Sequence, residues 1–128
     1  MKEKILYVDD EDINLELFKI NFENHFKVLT AESGKEALKI LKENSDIGVI
    51  YSDLKMPVMN GFELISQIKK QSPEKICIML TAFADTDVMM KAINDELIFR
   101  YLLKPWKTDE IIKTTRLALE KYKNGESL

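Results

Sequence analysis

Five short, mostly apolar runs punctuate the chain, at 5–8, 28–31, 47–51, 76–80 and 99–103. They are rich in Val, Ile, Leu and Tyr and too short for helices, so they predict strands. Between and after them, apolar residues recur at helical spacing over 13–24, 34–44, 61–71, 87–94 and 107–122. Ser33 with Glu36, and Asn60 with Glu63, carry the spacing of a capping box, and Pro73 stops the helix that begins at Gly61. Thr108 is the expected cap of the last helix, with Asp109 and Glu110 in a first turn that favours negative charge.

Strand and helix therefore alternate five times, and each intervening helix is long enough for a parallel crossover. Strands covered on both faces read as unbroken apolar runs, and IGVIY and ICIML do. The fold class that follows is α/β: an open, doubly wound, five-stranded parallel sheet. In such sheets sites lie outside the carboxyl ends of the strands. The residues there are Asp9 and Asp10 after the first strand, Asp53 after the third, Thr81 after the fourth and Lys104 after the fifth.

The chain has 128 residues, enough for one ordinary domain, and 45% are hydrophobic. Lys and Arg total 19 against 22 Asp and Glu, a formal charge of -3. That balance argues against a general nucleic-acid binder, which needs a concentrated basic patch. No apolar stretch approaches a membrane span, and the start lacks a signal-peptide core. Cys77, the single cysteine, reads as a buried free thiol. A cytoplasmic protein is the expectation.

Three close carboxylates raise one another's pKa unless a cation intervenes. A hard divalent ion suits oxygen ligands, and Mg²⁺ characteristically takes one or two carboxylates, keeps water and completes its shell with phosphate oxygens. A lysine and a threonine on the same rim are donors suited to a phosphoryl group, and an Asp carboxylate can be the nucleophile that accepts it.

VDDE at 8–11, DLKMPVMNG at 53–61, LTA at 80–82 and YLLKPW at 101–106 together resemble the receiver domain of two-component response regulators, the CheY-like family. The resemblance covers roughly residues 3 to 122. It implies a flavodoxin-like sheet in the order 2-1-3-4-5, a receiver domain over 1–122 and a flexible tail over 123–128. It implies that Asp53 is the phosphoacceptor and that Asp10 binds Mg²⁺ directly, with Mn²⁺ a substitute. Asp9 would act largely through coordinated water, and the backbone carbonyl of Lys55 would be a further ligand. It also implies that Lys104 contacts the phosphoryl group, that the Lys104–Pro105 bond is cis, and that Thr81 and Tyr101 form a switch pair. Side chains at Lys55 and Phe83 would tune loss of the phosphoryl group, and their size suggests slow autodephosphorylation.

The implied function is a phosphorylation-dependent signalling switch, not an enzyme acting on an external metabolite. Its donor would be a histidine kinase or histidine phosphotransfer protein. Its target would be a downstream protein or an attached output domain, and a homodimer is an open alternative. Direct nucleic-acid or membrane binding is not expected. The second reading is a regulatory module cut from a larger regulator or hybrid kinase. A phosphohydrolase on a similar sheet is disfavoured by the lack of a paired DxD motif, and a nucleotide hydrolase by the lack of a P-loop. A scaffold that is never phosphorylated is disfavoured by the intact set of site residues.

Several positions stay open. Tyr101 is a moving or a static aromatic, and Trp106 is packing or a partner contact. His25 reads as surface or capping, and Gly61 as a backbone requirement. The first helix carries two apolar stripes, Ile13/Leu17/Ile20 and Leu15/Phe18/Phe22, only one of which need face the core. Met89 and Met90 pose the same choice.

Overall fold

In β1 (Lys4–Val8) every residue after Lys4 is buried, and the strand sends them alternately to two cores. The computed structural model describes residues 2–125. Ile5 and Tyr7 join the core under α1 (Asp12–Phe22) and α5 (Thr108–Lys123), with Leu15, Phe18, Phe22, Ile111 and Ala118. Leu6 and Val8 join the core under α2 (Gly34–Glu43), α3 (Gly61–Gln71) and α4 (Thr86–Asn94), with Ala37, Leu41, Leu64, Ile68 and Ala92. A period-two strand with apolar residues on both sides buries itself on both.

The other strands are β2 (Lys27–Ala31), β3 (Val49–Ser52), β4 (Ile76–Thr81) and β5 (Arg100–Leu103). All pair in parallel, in the order β2-β1-β3-β4-β5. This is the doubly wound, flavodoxin-like arrangement the sequence predicts. The chain runs outward from β1 to β2, then returns across β1 to β3, so a crevice opens at the carboxyl ends of β1 and β3. The ladders continue one residue past the strand ends: Asp9 N donates to Ala31 O (3.1 Å), Asp53 N to Val8 O (2.9 Å) and Lys104 N to Thr81 O (2.8 Å). Three residues of the candidate site are thus fixed by the sheet's own hydrogen bonds.

Asn60 and Glu63 form the complete capping box of α3. Ser33 Oγ accepts from Glu36 N at 3.1 Å, but the Glu36 carboxylate reaches Glu32 N, so the box at α2 is half made. Thr108 does not cap α5. It is the first helical residue, because Lys107 holds the extended cap conformation and offers no side-chain acceptor. Asp85 Oδ1 caps α4 by accepting from Val88 N at 3.1 Å. The third strand starts at Val49, not at 47, because Ile47 N closes a turn on Asn44 O. Of the tail expected over 123–128, Lys123 belongs to α5 and residues 126–128 lie outside the described residues.

Candidate functional site

Asp9 stands directly beyond β1, and its side chain is wholly buried. Its Oδ2 accepts from the Tyr7 phenol at 2.6 Å, the Lys104 ammonium at 2.6 Å and Asn14 Nδ2 at 3.2 Å, while Oδ1 accepts from Glu11 N at 3.0 Å. Lys104 Nζ also donates to Asp53 Oδ2 at 2.9 Å, and Asp53 Oδ1 accepts from Leu54 N at 2.7 Å. Asp10 is exposed beside them. One oxygen from each of Asp9, Asp10 and Asp53 falls within a 4.8 Å span.

Burial works against the Asp9 carboxylate, but the bonds from Lys104, Tyr7 and the Glu11 amide outweigh it and hold its pKa below the usual carboxyl range. Burial likewise opposes the Lys104 charge, and the Asp9 and Asp53 carboxylates more than restore it, raising its pKa. The result is a rim with fixed ionic groups of both signs. Of four acids in a row, Asp9 and Asp10 turn to the cluster, whereas the exposed Glu11 and Asp12 begin α1, where its amide groups favour negative charge.

The stretch after β3 folds back on Asp53. Gly61 N donates to Leu54 O at 2.8 Å, and a Cβ at Gly61 would sit 2.0 Å from the Asp53 carbonyl oxygen. Gly61 is therefore a backbone requirement of the site. Before it, Val58 has φ 70°, and Met59 N donates to Pro57 O at 2.7 Å across it, closing a tight three-residue turn with a fully exposed side chain at its tip.

Thr81, buried at the end of β4, and Tyr101, half-buried on β5, meet through one residue. Thr81 Oγ1 accepts from Phe83 N at 3.3 Å, and the Tyr101 phenol donates to Phe83 O at 2.6 Å. The Lys55 ammonium lies over the Phe83 ring, 5.0 Å from its centroid. The Lys104–Pro105 peptide bond is cis.

In α1 the stripe Leu15/Phe18/Phe22 faces the core, leaving Ile13 71%, Leu17 47% and Ile20 66% exposed. Beside that outer stripe a groove lined by Asn14, Leu17, Ala82, Lys104 and Trp106 leads to the cluster. Trp106 is chiefly packing, edge-on to Phe18 at 5.5 Å and to Tyr7 at 6.0 Å. Met90 is exposed and Met89 half-buried, and His25 is on the surface. Cys77 is wholly buried, and burial pushes its thiol up to about 12. Sequence reasoning missed Tyr7 and Asn14. The available signal was Tyr7's place two residues before Asp9, on the same side of an extended chain.

Three carboxylate oxygens this close, one exposed to solvent, suit a hard divalent cation. A lysine held between two of the acids suits an anion placed against Asp53. Among the described residues, no helix is long and apolar enough to cross a membrane.

Residues 5–116 match the model of the response regulator receiver domain family. The chain is 32% identical over 116 residues, 91% of its length, to HoxA, a hydrogenase transcriptional regulatory protein of Cupriavidus necator, and covers 24% of that protein. It spans about a quarter of the length of the curated relatives it matches. A receiver domain protein from Clostridium thermocellum superposes with a TM-score of 0.88 at 35% identity, over 94% of this chain and 97% of that one. The response regulator TrrA of Thermotoga maritima, solved in complex with Mg²⁺-BeF, superposes with a TM-score of 0.81 at 29% identity, over 92% and 99%.

Proposed function

The chain belongs to the response regulator receiver domain family, and we propose that it is a phosphorylation-dependent switch whose acceptor is Asp53. The observation that carries this reading is the nearly buried Asp53 carboxylate, held 2.9 Å from Lys104 within the three-acid cluster.

A carboxylate oxygen of Asp53 attacks phosphorus in line with the P–N bond of a phosphohistidine. The O–P bond forms as the P–N bond breaks, and the imidazole nitrogen keeps the electron pair. Asp10 and Asp53 would hold Mg²⁺, or Mn²⁺ in its place, with Asp9 acting through water and the Lys55 carbonyl completing the protein's share. Bound metal supplies neutralising charge at the phosphoryl oxygens. Lys104 holds one of those oxygens, and the Thr81 hydroxyl leaves the Phe83 amide to bond another. Because Phe83 joins Thr81 to Tyr101, a turn of Thr81 reaches the aromatic ring on β5 through one residue.

The Lys55–Phe83 contact supports slow autodephosphorylation, since a ring pinned by an ammonium narrows the approach of water. Lys55→Asn and Phe83→Glu are expected to shorten the phosphoryl lifetime; unchanged lifetimes would refute that role. The outer stripe of α1, beside the groove to Lys104, is the proposed dock for a histidine kinase or phosphotransfer helix. The output is a downstream protein, an attached output domain or a homodimer. The buried, unpaired thiol supports a cytoplasmic location.

The test is intact mass after incubation with acetyl phosphate, with and without Mg²⁺, beside Asp53→Asn. One Mg²⁺-dependent phosphoryl adduct, absent from the variant, is expected. A folded wild-type protein that takes none, or a variant that takes one, overturns the reading.

A further inference from the structure

We infer that Tyr7 is a positioning residue that frees Lys104 to leave Asp9 for the phosphoryl group, an inference that rests on the phosphoacceptor reading of Asp53. Asp9 Oδ2 accepts from three donors, Tyr7, Lys104 and Asn14. A carboxylate oxygen has lone pairs for about two. One donor is therefore in surplus, and of the three only Lys104 also bonds Asp53, at 2.9 Å, so it is the one an anion on Asp53 would draw away. When it turns toward an anion on Asp53, Tyr7 and Asn14 still satisfy the buried oxygen.

The Tyr7 phenol is built for a fixed role. The residue is wholly buried, its ring stacks on Phe18 at 4.3 Å, and its hydroxyl bonds Asp9 at 2.6 Å. Trp106 closes the edge of the ring at 6.0 Å. The hydroxyl thus stays with Asp9 whatever Lys104 does. Without it, Oδ2 keeps only the longer 3.2 Å bond from Asn14 once Lys104 departs. A wholly buried, under-bonded carboxylate oxygen is costly, so the ammonium would stay.

Tyr7→Phe keeps the ring and removes the bond. With acetyl phosphate and saturating Mg²⁺, the maximal rate of adduct formation is expected to fall about tenfold, at an unchanged half-saturating donor concentration. Mg²⁺ affinity, measured by calorimetry, is expected to stay within about twofold, because Asp10 and Asp53 keep their places. Asn14→Ala, on the half-buried side of α1, is a second variant with a smaller slowing of the same kind, about threefold for the longer bond. Unslowed Tyr7→Phe and Asn14→Ala proteins overturn the inference. So does a rate loss matched by an equal loss of Mg²⁺ affinity, which would make Tyr7 a shaper of the metal cup. A wild-type protein that takes no adduct removes the phosphoacceptor reading and this one with it, whereas a labelled wild type beside equally fast variants removes this one alone.

Discussion

Lys104→Met, in metal-free protein at pH 7, tests how much the ammonium contributes to holding the acid cluster together. Its side chain is 13% exposed and bridges carboxylates that are 0% and 8% exposed. Breaking a buried ion pair typically costs about 3–5 kcal/mol. Asp9 retains Tyr7, Asn14 and the Glu11 amide, and Asp53 retains the Leu54 amide, which places the expected loss at or just below the lower end of that range, about 2–3 kcal/mol. That corresponds to a fall of roughly 10 °C in Tm, or about 1–2 M in the urea midpoint. The assay is urea unfolding in EDTA, followed by Trp106 fluorescence and circular dichroism.

Two controls bind the result to the cluster. Burial raises the Asp9 pKa, yet the bonds led by Lys104 bring it below the usual range. A carboxyl so depressed contributes stability that is present above its unfolded pKa and lost as pH falls through its folded value. The variant lacks much of that contribution, so the two stability curves converge below about pH 4. Added Mg²⁺ restores more stability to the variant than it adds to wild type, because no ammonium competes for the acids. A variant as stable as wild type in EDTA at pH 7 would refute the reasoning, as would a deficit that persists undiminished in acid.

Three further outcomes are expected. Gly61→Ala places a Cβ 2.0 Å from the Asp53 carbonyl oxygen, and calorimetry should find a loss of about 3 kcal/mol with diminished phosphoryl labelling. Val58→Gly relieves a β-branched residue at φ 70° and should raise the urea-derived stability by about 0.5–1 kcal/mol, the strain relieved exceeding the added freedom of the unfolded chain. Cys77, with its thiol pushed up to about 12 and wholly buried, should react with an aromatic disulfide reagent at pH 8 only on unfolding, a difference of about a thousandfold or more in rate.

The curated relatives extend well beyond the part that this chain matches. HoxA is a transcriptional regulatory protein about four times the length this chain covers.

The sheet was legible in the sequence, because its strands are short, mostly apolar runs and its helices carry period and caps that a single chain reveals. The sequence also placed Asp9, Asp10, Asp53, Thr81 and Lys104 on one rim, since parallel topology sends every strand end to the same side. Thr108 misled as a cap because one side-chain type does not fix where the first helical dihedral falls. The two stripes of α1 were equally apolar, and only packing against Tyr7, Tyr51 and Trp106 decided that Phe18 and Phe22 go inward and Ile13 and Ile20 outward. Phe83 as the common partner of Thr81, Tyr101 and Lys55, and Tyr7 as the buried donor to Asp9, belong to the tertiary structure alone. Sequence periodicity reports which residues share a face; which face turns inward, and where hydrogen bonds of about 3 Å form, depends on how distant segments close on one another.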